Sequence, residues 1–236
     1  MIKVIHKAET RGYADHGWLK AKHTFSFANY YNPDRIHFGV LRVLNDDIIA
    51  PGMGFGNHPH DNMEIITLPL SGSIKHKDSM GNSSVINAGE IQVMSAGSGV
   101  FHSEYNASKT EELNLFQIWI FTNKKNVEPR YDQQSLKTLE KKDELYQVLS
   151  PNPAGQGVWI NQNAWFSMGN LSTAWQGKYT IKSSGNGVYV MVIEGELVIE
   201  GEKLIARDGI GISDIDAINI ISETDSRILI MDIPMR

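Results

Sequence analysis

Residues 38–121 and 157–233 form a succession of short stretches in which apolar side chains alternate with polar ones or run on briefly, each cut by Gly, Pro, Asn or Asp. Side chains of a strand point alternately to opposite faces, so such stretches suit strands that bury one face or both. Leu113 to Phe121 alternates most clearly, and residues 65–70 and 91–94 are compact apolar runs bounded by turn formers. Phe38 to Leu44 reads as a further strand, stopped by Asn45-Asp46-Asp47, and Asp78 to Asn82 reads as a loop. Strands and turns at this spacing predict an all-β barrel or sandwich.

With 236 residues the chain has room for two small domains, each with a modest core. The polar, charged segment 131–145, preceded by Pro129, is the best boundary, with a short helix expected over 133–142. This divides the chain into domains at 1–130 and 146–236. A weak repeat links them: Leu70-Ser71-Gly72-Ser73-Ile74 matches Ile193-Glu194-Gly195-Glu196-Leu197, and residues 86–91 roughly match 205–210. Two similar antiparallel β-barrels are therefore expected. Carried into the second half, the offsets of the histidines fall near Ile181, Ser183 and Ser222, and no histidine follows His102, so the second barrel is expected to lack an equivalent site.

Composition narrows the chemistry. There is no cysteine, which excludes disulfides, thiolate nucleophiles and iron–sulfur ligation; any metal must be held by nitrogen and oxygen. The formal charge of −5 comes without long blocks of one sign and gives no footprint for direct nucleic-acid binding. The charged start, Met1 to Glu9, lacks the apolar core of a signal peptide, and no apolar run has transmembrane length, so a cytoplasmic protein with no membrane partner is expected.

Two segments carry the candidate chemistry: Asn57-His58-Pro59-His60 and Phe101-His102-Ser103-Glu104. On strands, His58 and His60 share a face, as do His102 and Glu104, and antiparallel pairing brings the two pairs together. Three imidazoles and one carboxylate suit a divalent transition ion with two positions open if it is six-coordinate. Glu64 shares the parity of His58 and His60 and competes with Glu104. His76 is expected on a neighbouring strand in a structural role, while His6, His16, His23 and His37 suit solvated or turn positions. Phe55, Met94, Phe101, Phe116 and Trp119 are candidates to line an apolar pocket, and Lys75 is the one cation expected near it.

Taken together, residues 23–28, Asn45-Asp46-Asp47, Gly54-Phe55-Gly56-Asn57-His58-Pro59-His60, Met63-Glu64-Ile65-Ile66-Thr67, His76-Lys77-Asp78-Ser79, residues 92–97 and His102-Ser103-Glu104 resemble the pirin family of the cupin superfamily. The resemblance implies an all-β bicupin of two jelly-roll barrels, with metal ligands His58, His60, His102 and Glu104. It favours Glu104 over Glu64, which becomes a structural partner of an imidazole. It implies a metal ion, most often iron, while the donor set alone also suits Mn, Ni, Co, Cu or Zn as the one divalent metal. It implies a dioxygenase that opens a flavonol such as quercetin with O2; in such a reaction Glu104 is the candidate to take the substrate proton once it loosens from the ion. The family's other described role is a redox-sensitive, iron-binding transcriptional co-regulator acting on a protein partner. Lys75 and Ser98 stand where many relatives have Glu and Arg, which bears on substrate choice.

Overall fold

A computed structural model describes residues 1–236, and its regular structure is strand apart from one 3-10 turn at Ala8–Thr10. The chain begins with β1 (Ile2–His6), β2 (Gly12–Asp15), β3 (Leu19–His23) and β4 (Leu41–Ile49). It continues through β5 (Gly54–His60), β6 (Met63–Ser71), β7 (Ser73–Asp78), β8 (Ser83–Asn87), β9 (Glu90–Ser95), β10 (Val100–Asn106), β11 (Leu113–Phe121) and β12 (Arg130–Ser135). The second half holds β13 (Leu145–Ser150), β14 (Val158–Trp159), β15 (Trp165–Leu171), β16 (Gln176–Thr180), β17 (Asn186–Glu194) and β18 (Glu196–Ile199). It ends with β19 (Glu202–Ile205), β20 (Gly209–Ser213), β21 (Ala217–Ser222) and β22 (Ser226–Pro234).

Each half builds a barrel from a seven-stranded and a four-stranded sheet. The first pairs β12-β9-β6-β11-β4-β3-β2 with β5-β10-β7-β8; the second pairs β1-β20-β17-β22-β15-β13-β14 with β16-β21-β18-β19. Orders of this kind make two jelly rolls, and the repeat read in the sequence marks equivalent corners. Gly72 joins β6 to β7 and Gly195 joins β17 to β18, both at positive φ (78° and 84°), a conformation that favours glycine.

The two barrels stack through their large sheets, which explains the long apolar runs. On β17, Tyr189, Met191 and Ile193 belong to the 27-residue core between the barrels, whereas Val188, Val190 and Val192 fill the second barrel. On β11, Phe116, Ile118 and Ile120 face the second barrel and Leu113 and Leu115 face the first barrel's interior. A strand buried on both faces loses its polar alternation, as a sheet packed on another sheet must.

Some expectations meet a different structure. Asn45-Asp46-Asp47 does not stop the strand but lies inside β4, because Asn45 and Asp47 turn inward onto a polar cavity while the ladder to β11 continues. Residues 130–135 form an edge strand on β9, not part of a helix over 133–142; pairing of Gln133 with Gln92 overrides local preference. β1 crosses to the second barrel, where Ile2 pairs with Ser213 and His6 with Gly209. His6 and His23 are buried, not solvated, and His6 Nδ1 shares a hydrogen bond of 2.9 Å with the Tyr189 hydroxyl. No helix is long and apolar enough to cross a membrane.

Candidate metal centre

β5 and β10 run antiparallel on the four-stranded sheet with His58 opposite His102 and His60 opposite Val100. A bulge between His102 and Glu104 shifts the register, and on the other side of β10 Glu104 lies opposite His76 of β7. Gly54 makes this approach feasible: a β-carbon there would overlap the Glu104 carbonyl oxygen.

Three imidazoles converge. Ring centroids lie 4.4 Å apart for His58–His102, and 4.9 Å for both His58–His60 and His60–His102. Their candidate ligand nitrogens fall within 4.8 Å of one another. His58 Nδ1 donates to the Gly56 carbonyl at 2.7 Å, which leaves Nε2 with the free lone pair. Both ring nitrogens of His102 are buried without a hydrogen-bond partner. Burial, then the neighbouring His58, pushes His60 down to about 4, and the same causes with His60 and His76 push His102 down to about 2. Both rings are thus neutral, the form that ligates a metal.

Glu104 lies in the same cavity and is 2% exposed. Thr67 donates to its Oε1 at 3.1 Å and Gln117 Nε2 to its Oε2 at 2.9 Å. Burial nevertheless pushes its carboxyl up to about 7, because two neutral donors do not replace bulk water around an anion. With His76 and His102 it forms a second triad, also within 4.8 Å, so His102 is common to both groups. A cluster of imidazoles, with orphaned nitrogens on His102 and His76, beside a buried carboxyl fits a cation well.

His76 lies on β7, the strand beside β10, and belongs to the second triad. Its Nε2 donates to Asp78 Oδ2 at 3.0 Å, fixing the tautomer, while Nδ1 is buried and unpartnered. Asp78 in turn holds the following turn through Met80 N and Asn82. Glu64 leaves the site. Asn62, at φ 46°, turns the chain between β5 and β6 and resets the parity, so Ile65 lines the cavity and Glu64 accepts from Ser95 Oγ at 2.6 Å, away from any imidazole.

Of the expected lining, Phe55 and Trp119 are present, and Trp119 stacks edge-on against His60 at 4.8 Å. Met94 and Phe116 sit in other cores, Phe101 is exposed on the outer face of β10, and Lys75 is exposed on the outer face of β7. Phe27, Asn45, Asp47, Ile65 and Gln117 complete the wall of a cavity of about 180 Å³. Sequence reasoning did not place the polar three. Their signal was polar residues at every second position of otherwise apolar strands. Asp47 receives no hydrogen bond, and burial, then Asp46 and Glu104, pushes its carboxyl up to about 8.

In the second barrel the equivalent interior holds aliphatic side chains, including Leu197, Ile218 and Ile220 on the small sheet.

Known proteins match both halves of the chain. A family model described as Pirin matches residues 4–120, and one described as Quercetinase C-terminal cupin domain matches residues 147–233. The chain is 44% identical over 230 residues to a quercetin 2,3-dioxygenase of Escherichia coli K12, covering 98% of both chains. It is 39% identical to a pirin-like protein of Caulobacter vibrioides, covering 94% of this chain and 95% of that one. Among solved structures it superposes on the bacterial pirin YhhW of Escherichia coli in complex with nickel(II) with a TM-score of 0.93, 42% identity and 99% of each chain covered.

Proposed function

The chain belongs to the pirin family of cupin proteins, and from that premise we propose that it is a metal-dependent dioxygenase that opens a flavonol ring with O2. The first barrel carries the metal, held by His58, His60, His102 and Glu104, and the second carries none. The observation that carries this reading is the convergence of three imidazoles beside a buried carboxyl in an aromatic-walled cavity. Iron is the first candidate for the ion; the nickel complex of YhhW supports a divalent transition metal in general.

A bound ion of this kind supplies Lewis acidity, which lowers the pKa of a phenolic hydroxyl and lets the oxidisable anion exist near neutral pH. The side chains do the rest. Phe27, Phe55, Ile65 and Trp119 seat an aromatic ring and keep water from it. His60 is braced by Trp119 and His58 by the Gly56 carbonyl, so the imidazoles are oriented before a ligand arrives. Glu104 accepts the substrate hydroxyl proton at a carboxylate oxygen, and Thr67 and Gln117 hold that carboxylate in place.

The test is aerobic addition of quercetin to Fe(II)-loaded protein with quantification of carbon monoxide, against a His58→Ala/His60→Ala double variant. Release confined to the intact site supports ring-opening dioxygenation. Absence of release from protein that demonstrably holds its iron refutes it.

A further inference from the structure

The cavity beside the histidines has a size and a polarity that a flavonol alone does not explain. Its volume of about 180 Å³ lies below the roughly 300 Å³ at which pockets for drug-sized ligands begin. It can enclose one ring, and the remainder of a larger molecule must lie outside the mouth. The wall is apolar where a ring would lie, at Phe27, Phe55 and Ile65, yet it also holds an acceptor that the protein leaves unused. Asp47 is 4% exposed, and its Oδ1 is buried without a donor. No side chain or backbone amide bonds its carboxyl, whereas Glu104 in the same cavity receives two hydrogen bonds. Asn45, two positions along the same face of β4, likewise has an unpartnered Oδ1.

Burying an acceptor without a donor costs stability, and a site built around such a group favours a ligand that supplies the donor over an analogue that lacks it. Resting on the dioxygenase reading for the identity of the site, we infer that the enclosed part of the pocket recognises a single hydroxylated aromatic ring. Asp47 is the specificity-determining residue, accepting a hydrogen bond from a ring hydroxyl other than the one directed at the metal. The substrate class is therefore a polyhydroxylated phenol, of which a flavonol is one larger instance and single-ring diphenols are the minimal form.

Binding, not turnover, tests this. Ni(II)-loaded protein without oxygen is titrated calorimetrically with phenol, resorcinol and hydroquinone. The second hydroxyl of the last two cannot chelate the same ion, so any gain over phenol comes from the protein. At least one diphenol is expected to bind about tenfold more tightly than phenol. That gain disappears in Asp47→Ala and survives in Asp47→Asn, which keeps the acceptor oxygen, while phenol affinity, metal content and circular dichroism stay unchanged. Equal binding of phenol and both diphenols, or a gain that survives Asp47→Ala, overturns the inference. Loss of carbon monoxide release with the diphenol gain intact would refute the dioxygenase reading and leave this one standing.

Discussion

Replacing Gln117 by leucine isolates one support of the proposed ligand Glu104. The change keeps much of the side chain's bulk and removes the Nε2 donor that lies 2.9 Å from Glu104 Oε2. A hydrogen bond to an ionised group contributes about 1.5–3 kcal/mol, and outer partners of metal ligands contribute roughly 10–100-fold in affinity. At 1.4 kcal/mol per tenfold, the second figure is about 1.4–2.8 kcal/mol, so the two agree. The pH dependence follows from the same contact. With Glu104 pushed up to about 7, a metal binding below that pH must expel a proton, and removing a donor moves the threshold upward. Gln117→Leu should therefore weaken Ni(II) binding by one to two orders of magnitude near neutral pH and less in alkaline buffer. Competition against a chelator of known affinity measures it, with circular dichroism as the check on folding. Thr67→Val should act in the same direction. Since Thr67 Oγ1 also lies 3.3 Å from Gln117 Oε1, the double variant should lose less than the two single losses added. Affinity within about threefold of the parent in both single variants would remove Glu104 from the ligand set.

Three further outcomes follow from the packing. His6, buried against Tyr189 and pushed from 6.5 to about 4 by burial and then by Arg35 and Arg11, stays neutral in the fold while the unfolded chain takes up a proton. Its contribution is present above pH 6.5 and is lost as the pH falls toward 4, on the order of 3 kcal/mol. The difference in urea unfolding free energy between the parent and His6→Gln should shrink by that amount across the window, and parallel curves would refute it. Gly54→Ala, which drives a β-carbon into the Glu104 carbonyl, should cost about 1–3 kcal/mol and weaken metal binding; an unchanged Tm and unchanged metal affinity would contradict the close approach of β5 and β10. Phe116→Ala, at a fully buried position between the barrels, should cost about 3–5 kcal/mol in denaturant. A loss under about 1 kcal/mol would mean the large sheets do not pack there.

The all-β class and the histidine site were legible because both are written in local periodicity. His58 and His60, like His102 and Glu104, lie two residues apart on one strand, so their common face needs no knowledge of the rest of the chain. Glu64 was misplaced for the converse reason: parity does not survive a turn, and Asn62 at φ 46° inserts one. Asn45 and Asp47 read as strand breakers because polar residues usually end strands, whereas here the cavity they face reverses the rule. The crossing of β1 leaves no local trace at all, since its partner β20 lies at the far end of the chain. Gln133 and its neighbours carry a polar pattern that suits a short helix or an edge strand equally, and only the exposed edge of β9 decides between them.

The exchange of β1 onto the second barrel also sets an order of events during synthesis. β1 is made before any of the first barrel, but its register partners, Gly209 to Ser213, come some two hundred residues later, roughly ten to forty seconds at ordinary elongation rates. The sheets that surround the histidines, β2 to β12, can close in the meantime, since none of their ladders needs a strand from the second half. The metal site can thus mature on the ribosome while the outer face of its own large sheet, with Phe116, Ile118 and Ile120, still lacks its cover. On this view the second barrel shields a nascent half that would otherwise present an adhesive surface, and the waiting β1 fastens the two together once that shield is complete.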